Sequence, residues 1–220
     1  MATIKKIPAV ITGLRDLTPT ARVITLTLSQ ALPFIAGSFV NLIIKHNGAV
    51  LRRAFSISSS DQINDTIDLS IRLNPAGVVS PLFWEESIIG TEVEVMGPLG
   101  LNTADKMKSS HVYLFGFGIG AGVVKSLAEH FVNQKHITKL TIMTGNRSDA
   151  DIVHFDFFTE LQNNPKVSIS HIVSNPTPNN IYPVGYIQNH LEHFDFNNSD
   201  VYVCGQEVAC TALVEAVQKQ

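Results

Sequence analysis

The sequence predicts two domains of different class. Residues 1–102 read as a small antiparallel β-barrel or sandwich, and residues 103–220 as an α/β unit built on a Rossmann-like parallel sheet. Three observations carry this. A chain of 220 residues suits two cores of about 100 residues each. Its first hundred residues alternate in short apolar runs separated by turn residues, with Pro, Gly and Asn-Gly between them. Beyond about residue 103, runs of strand period alternate with runs of helical period, a pattern that folds as a parallel sheet flanked by helices.

The elements follow in order. ARVITLTL (21–28), SFVNLIIK (38–45), RRAFSIS (52–58), TIDLSIRL (66–73) and TEVEVMG (91–97) read as strands. One helix interrupts them, with Ser80 as its N-cap, Pro81 in the favoured first position and Glu85 and Glu86 close behind. Phe83 and Trp84 read as its packing residues. The boundary falls within Leu101–Lys108. HVYLFGF (111–117), KLTIMTG (139–145), KVSISHIV (166–173) and VYVCG (201–205) then read as strands. GVVKSLAEHFVNQ (122–134), DFFTELQNN (156–164) and ACTALVEAVQKQ (209–220) read as helices. There is no internal repeat.

Composition narrows the function. The chain is 45% apolar and 16% charged with a net charge of −3, so nothing attracts it globally to nucleic acid or an acidic membrane. Its longest apolar runs, such as VYLFGFGIGAGVV (112–124), are too short and too glycine-rich for membrane insertion. MATIKKIPAVIT lacks a signal-peptide core, so a cytoplasmic location is expected. Two cysteines, Cys204 and Cys210, exclude a four-cysteine iron–sulfur or zinc site within this chain and predict no disulfide framework. His190 and His193 flank Glu192 without making a zinc-protease pattern, and no metal site is expected.

Three stretches carry chemistry. RRAFSISSS (52–60) places two arginines, an aromatic and four hydroxyls in strand context. Arg53, Phe55 and Ser56 suit a phosphate bond, a stacking surface and a hydroxyl contact, or else a solvated edge strand. The helix predicted at Ser80 would turn its free amides toward Gly77, either as an anion site or simply as a well-capped end. The run Gly116-Phe117-Gly118-Ile119-Gly120-Ala121 follows a strand and opens a helix, the context for binding a pyrophosphate or for a tight turn. Gly116, Gly118 and Ala121 fit G-x-G-x-x-A, but the acidic ribose ligand expected about 20 residues on is absent. The second strand ends instead in Thr144-Gly145-Asn146-Arg147.

In this order the stretches resemble the ferredoxin–NADP reductase superfamily of two-domain flavoenzymes, over about Ala9 to Lys219. Ala36-Gly37-Ser38-Phe39-Val40-Asn41-Leu42 looks like the family's strand leading to the flavin. Arg53-Ala54-Phe55-Ser56 looks like its Arg-x-Tyr-Ser motif, and Gly77-Val78-Val79-Ser80 like its Gly-x-x-Ser motif. Gly97-Pro98-Leu99-Gly100 looks like the Gly-Pro-x-Gly that ends the flavin barrel. The glycine run sits where the family has Gly-Thr-Gly-Ile-Thr-Pro, and Tyr202-Val203-Cys204-Gly205 where it has its final Cys-Gly.

The resemblance implies roles by position. Residues 1–102 would be a flavin-binding β-barrel and 103–220 an NAD(P)-binding α/β domain. Arg53 would clamp the FAD phosphates, Phe55 would lie against the isoalloxazine or ribityl chain, and Ser56 would bond near flavin N5. Ala54 and the backbone of Ile71, Arg72 and Leu73 would line the flavin edge. Gly77, Val78, Val79 and Ser80 would hold the pyrophosphate, which favours FAD over FMN. Gly118, Ile119 and Gly120 would cradle NAD(P)H, with Cys204 and Gly205 beside the nicotinamide. Arg147 would meet a 2′-phosphate or else be a surface residue. Ser56 and Cys204 are the catalytic candidates, in a hydride transfer from nicotinamide C4 to flavin N5.

Departures are visible too. Phe55 replaces the family's tyrosine, and Phe117 and Ala121 replace its small polar residue and proline, so a bulky Phe117 is expected to crowd the donor loop. Relatives usually continue past the last helix, so the flavin is expected to be exposed or covered by a partner. The leading expectation is a reductase passing electrons to a redox partner protein, such as a ferredoxin, flavodoxin or oxygenase component, or to a small-molecule acceptor. A reductase of free flavin or ferric chelates, and a non-catalytic electron-transfer subunit of a larger complex, remain as alternatives.

Overall fold

The computed structural model describes residues 4–220. The chain divides into two compact units, one ending at Asp105 and the other beginning at Lys106. No helix among the described residues is long and apolar enough to cross a membrane.

The first unit is a six-stranded sheet: β1 (Lys5–Thr18), β2 (Ala21–Leu28), β3 (Phe39–His46), β4 (Ala49–Ser56), β5 (Thr66–Arg72) and β6 (Glu92–Leu99). Its order is β4-β3-β6-β1-β2-β5, antiparallel at every step. Alternation sets the inner face. Val40, Leu42 and Ile44 of β3, Ile67, Leu69 and Ile71 of β5, and Val93 and Val95 of β6 are all buried in one core. Each such side chain contributes roughly 1.5–3 kcal/mol on burial. The sheet curls until its two end strands meet at Ile57 and Leu69, an isolated antiparallel bridge.

The expected strands form within one to three residues of their predicted ends, but the longest, β1, gives no strand signal in the sequence. Pro8 and Gly13 interrupt its apolar alternation. Pro8 is tolerated because its main chain faces β2 before that ladder begins: its carbonyl accepts from Ser29 N at 2.9 Å, and pairing starts at Ala9–Leu28. The extra residue near Gly13 is absorbed by a register shift between Ile11 and Gly13.

The helix predicted at Ser80 is corrected. Ser80–Trp84 forms a five-residue 3-10 turn, Val79 occupies the N-cap position, and no side chain caps it. The Ser80 hydroxyl turns back to the preceding loop, accepting from Asn74 N at 2.9 Å and donating to Asn74 O at 3.3 Å. Asn74-Pro75-Ala76-Gly77 closes a turn through Gly77 N to Asn74 O at 2.9 Å, which presents Asn74 to that hydroxyl. So short a turn sums no useful macrodipole, and the helix-end argument for an anion site falls away. Of the two expected packing residues, Phe83 is buried and Trp84 is partly buried against the same core; Leu82 is buried as well.

The second unit is a four-stranded parallel sheet. Its strands are β7 (His111–Phe117), β8 (Lys139–Asn146), β9 (Val167–Val173) and β10 (Ser199–Cys204), in the order β10-β7-β8-β9. Helix α1 (Ala121–Val132) links β7 to β8, α2 (Phe155–Leu161) links β8 to β9, and α3 (Glu207–Val217) closes the chain. The fully buried run of β7 fits a central strand covered on both faces. Helix α2 stops short of its predicted end, tightening into turns that bond Asn163 N to Glu160 O at 3.1 Å and Asn164 N to Leu161 O at 3.0 Å ahead of Pro165. Strand order reverses between β7 and β10, so their carboxyl ends form the topological switch point.

A neutral polar cluster lies beneath that edge. Asn146 Nδ2 donates to Thr144 Oγ1 at 2.9 Å, leaving the Thr144 hydroxyl hydrogen for His171 Nδ1 at 2.7 Å. Phe155, Phe158 and Tyr182 surround the imidazole. Burial pushes the His171 pKa down to about 4. The unfolded chain takes up this proton below its ordinary value of 6.5, whereas the folded chain resists it until about 4. The stability is therefore complete above the ordinary value and lost progressively on acidification, by about 3 kcal/mol. Chemical denaturation from pH 7 to pH 4 will show this loss, and His171→Gln will flatten that part of the profile.

Candidate cofactor sites

The first site forms where the curled sheet fails to close. Beside the Ile57–Leu69 bridge, Ser58 N donates to Asp68 O at 2.8 Å and the Ser59 hydroxyl accepts from Asp68 N at 3.1 Å. Continued in register, this pairing would set Phe55 against Ile71 and Arg53 against Leu73. No ladder forms there, so β4 and β5 remain the two free edges of the sheet. The seam is stitched at one end and open at the other. Two of the four hydroxyls in RRAFSISSS, those of Ser58 and Ser59, serve the stitching.

Residues 53–56 line one side of the opening. Ser58 N points into the seam and Ile57 N points to Ser38 on the β3 side, so by alternation the main chains of Ala54 and Ser56 face the opening. Arg53 and Phe55 share a side-chain face, opposite to that of Arg52. Phe55 is half-buried and meets Phe83 edge-on, with ring centroids 6.1 Å apart. Arg53 is exposed and bonded only to the Arg52 carbonyl at 2.8 Å, with no carboxylate partner among the described residues. The Ser56 hydroxyl has no partner among the described residues.

On the other side, β5 delivers Ile71 and Arg72, then Leu73 and the Asn74–Ser80 turn. Not all three predicted backbone contacts are available. Leu73 N donates to Thr20 O at 2.9 Å, and alternation places the Ile71 amide on that same side, leaving Arg72 as the one whose main chain faces the seam. The Arg72 guanidinium is held by Thr20 Oγ1 at 2.8 Å. Gly77 is half-buried, Val78 exposed and Val79 buried, immediately before Ser80. Asn74, which fixes that turn, was missed as a site-building residue; its Asn-Pro-x-Gly turn signature was the available signal.

The second site lies at the switch point. Gly118, Ile119 and Gly120 form a 3-10 turn between Phe117, which ends β7, and α1. A Cβ on Gly120 would overlap the Cys204 carbonyl, so only glycine lets the β7 turn close on the end of β10. Cys204 and Gly205 therefore meet the glycine turn, as their motifs require. Burial pushes the Cys204 thiol up to about 11, and Cys210 is raised for the same reason. Burial therefore favours the neutral thiol of Cys204 near pH 7. Arg147 follows β8, exposed and without a partner among the described residues. Its neighbouring carboxylates are engaged: Asp149 accepts from Thr177 N at 2.8 Å and Thr177 Oγ1 at 2.7 Å, and Asp151 accepts from Ser148 at 3.1 Å.

A groove lined by Pro8, Val10, Thr27, Ile43, Lys45 and Glu92 lies on the first unit's sheet and contains none of the predicted site residues. Among the described residues, no cluster of three or more His, Cys, Asp or Glu is placed to hold a metal ion.

Comparison with known proteins identifies the family of each unit. Residues 9–103 match the family described as the oxidoreductase FAD-binding domain, and residues 114–217 match the oxidoreductase NAD-binding domain. The chain belongs to the FAD- and NAD-binding oxidoreductases of the ferredoxin–NADP reductase superfamily. The reductase component of phenol 2-monooxygenase from Pseudomonas sp. (strain CF600) is 26% identical over 216 residues, 94% of this chain but 61% of that protein. The chain thus spans about three fifths of that relative's length. Ferredoxin–NADP reductase B of Sorangium cellulosum is 24% identical over 182 residues, 81% of this chain and 74% of that protein.

Solved structures share the fold. The Amycolatopsis cytochrome P450 reductase superposes with a TM-score of 0.90 at 22% identity, covering 100% of this chain and 67% of that one. The cytochrome b5 reductase domain of Ulva prolifera nitrate reductase gives 0.85 at 19% identity, covering 98% and 93%.

The residues present fit FAD. A free strand edge carries an unpaired arginine and a half-buried aromatic ring on one face and an unpartnered hydroxyl on the other. The state of Cys204 is checked by alkylation. In a Cys210→Ser variant, iodoacetamide will react slowly at neutral pH, and the rate will rise with an inflection near 11; rapid reaction at pH 7 would contradict a packed, neutral thiol.

Proposed function

We propose that this protein is an FAD-dependent NAD(P)H reductase that passes electrons to a separate acceptor. The observation that carries the reading is the open β4–β5 seam, which brings Arg53-Ala54-Phe55-Ser56 and Arg72 to one slot. Arg53 binds the FAD phosphates, Phe55 offers its ring face to the flavin or its ribityl chain, and the Ser56 hydroxyl bonds the flavin edge near N5. Gly77, Val78, Val79 and Ser80 hold the pyrophosphate through main-chain amides, without help from a helix dipole.

In the second unit, Gly118, Ile119 and Gly120 receive the donor's pyrophosphate. Cys204 and Gly205 lie beside the nicotinamide, and Arg147 meets a 2′-phosphate. When bound, the flavin accepts hydride from the nicotinamide and releases electrons singly or in pairs. The chain's own residues bind, orient and exclude water; no side chain has to act as a strong acid or base.

The acceptor is a redox protein such as a ferredoxin, flavodoxin or oxygenase component, and the setting is the cytoplasm. That several relatives are named as reductase components or subunits of oxygenase and demethylase systems supports the oxygenase version.

An anaerobic visible spectrum before and after addition of NADH or NADPH tests the reading. A co-purifying flavin band that bleaches on addition is expected. A band that neither donor bleaches would contradict reductase activity, and flavin lost on gel filtration but turned over when supplied would favour a free-flavin reductase. Arg53→Ala removes a charge-assisted phosphate bond, so FAD affinity will fall about ten-fold or more. Arg52→Ala, on the opposite face of the strand, will change it by about two-fold at most. Equal loss from both would overturn the assignment of Arg53.

A further inference from the structure

The bulk of Phe117 is accommodated beside Gly145. Phe117 ends β7 with glycine beside it on both neighbouring strands. Gly145 is its register partner on β8, and Gly205 directly follows Cys204, which pairs with Gly116. A Cβ on Gly145 would lie 2.8 Å from the Phe117 ring, and one on Gly205 would lie 2.5 Å from Phe117 Cβ. The two glycines clear a space in which the ring lies over β8. A Cβ on Gly145 would also lie 3.3 Å from Ile187 Cδ1, which places that buried side chain beside the ring. The ring is half-buried against this unit's core.

A planar apolar surface is thus anchored at the carboxyl edge of a parallel sheet, where ligands of this architecture bind. The ring atoms lie over Gly145 of β8, whose strand is followed by Arg147 with its guanidinium unpartnered among the described residues, while the Phe117 backbone and Cβ meet Gly205. We propose that the Phe117 ring is a stacking platform for the adenine of the nicotinamide dinucleotide, a positioning residue for the adenosine half of the donor. The assignment rests on the donor-site reading above. Stacking suits the place: a flat heteroaromatic ring gains from an aromatic face held rigid from below. The unpartnered arginine beyond β8 would take phosphate from the same half of the molecule.

Titration calorimetry on the FAD-loaded protein with 5′-AMP and with nicotinamide mononucleotide separates the two halves of the donor. Phe117→Ala is expected to weaken 5′-AMP binding about ten-fold, the size of one base–aromatic stack, with nicotinamide mononucleotide unchanged. With NADH as substrate, KM rises by the same factor while kcat holds, and Phe117→Tyr restores both. Gly145→Ala, which pushes the ring aside without removing it, will weaken 5′-AMP in the same sense and guards against a Phe117→Ala protein that fails to fold. Unchanged or tighter 5′-AMP binding in the variants, or a loss confined to nicotinamide mononucleotide, would overturn the platform while leaving the donor site intact. If the unaltered protein bound neither fragment and was not reduced by NADH or NADPH, the donor-site reading would fall together with the platform.

Discussion

The first unit depends on the pairing that joins the two ends of its sheet. Ile57 meets Leu69, and Ser58 and Ser59 fasten to Asp68 beside it. Those few bonds do two things. They bring the ends of a six-stranded sheet together around one apolar core, and they hold β4 and β5 side by side as they separate. Left unstitched, β4 would be an ordinary edge strand, exposed and prone to pair with another chain. Stitched at one end only, it becomes one wall of a slot. The main chain of Ala54, beyond the bridge, then faces the opening with no strand opposite it.

The second unit reaches a comparable result by removing side chains. Beyond or at the carboxyl ends of β7, β8 and β10, glycine occupies 118, 120, 145 and 205. Gly120 lets the turn after β7 close on the Cys204 carbonyl, and Gly145 and Gly205 make room around Phe117. The dinucleotide site is therefore an arrangement of close backbone approaches with one aromatic ring set among them. Its thiol, Cys204, contributes packing and polarity and stays neutral. This fits a chemistry in which the cofactors carry the electrons and the protein supplies placement.

Much of this was legible in the sequence. Period-2 alternation located five of the six barrel strands, and the switch to alternating strand and helix located the parallel sheet, because both patterns follow from which side chains must be buried. Strand β1 escaped since Pro8 and Gly13 break its alternation, and only the placement of its neighbours explains why each is tolerated. Ser80 was misread because Ser-Pro-x-x-x-Glu is a good helix start in isolation. Asn74 lies too far upstream for a local pattern to show that it captures the hydroxyl. The roles of Ser58 and Ser59 depend on a contact with a strand about ten residues away. The direction of the Phe117 ring depends on glycines in two other strands. Local chemistry was readable; side-chain direction set by long-range pairing was not.

The central claim is that FAD fills the unpaired seam between β4 and β5, and amide hydrogen exchange with and without FAD tests it most directly. New protection is expected to concentrate at Ala54, Ser56, Arg72 and Gly77–Ser80, with Ser58 protected in both states by its bond to Asp68. Protection that spared the seam and appeared instead on the outer groove of the first unit, or only in the second unit, would contradict it.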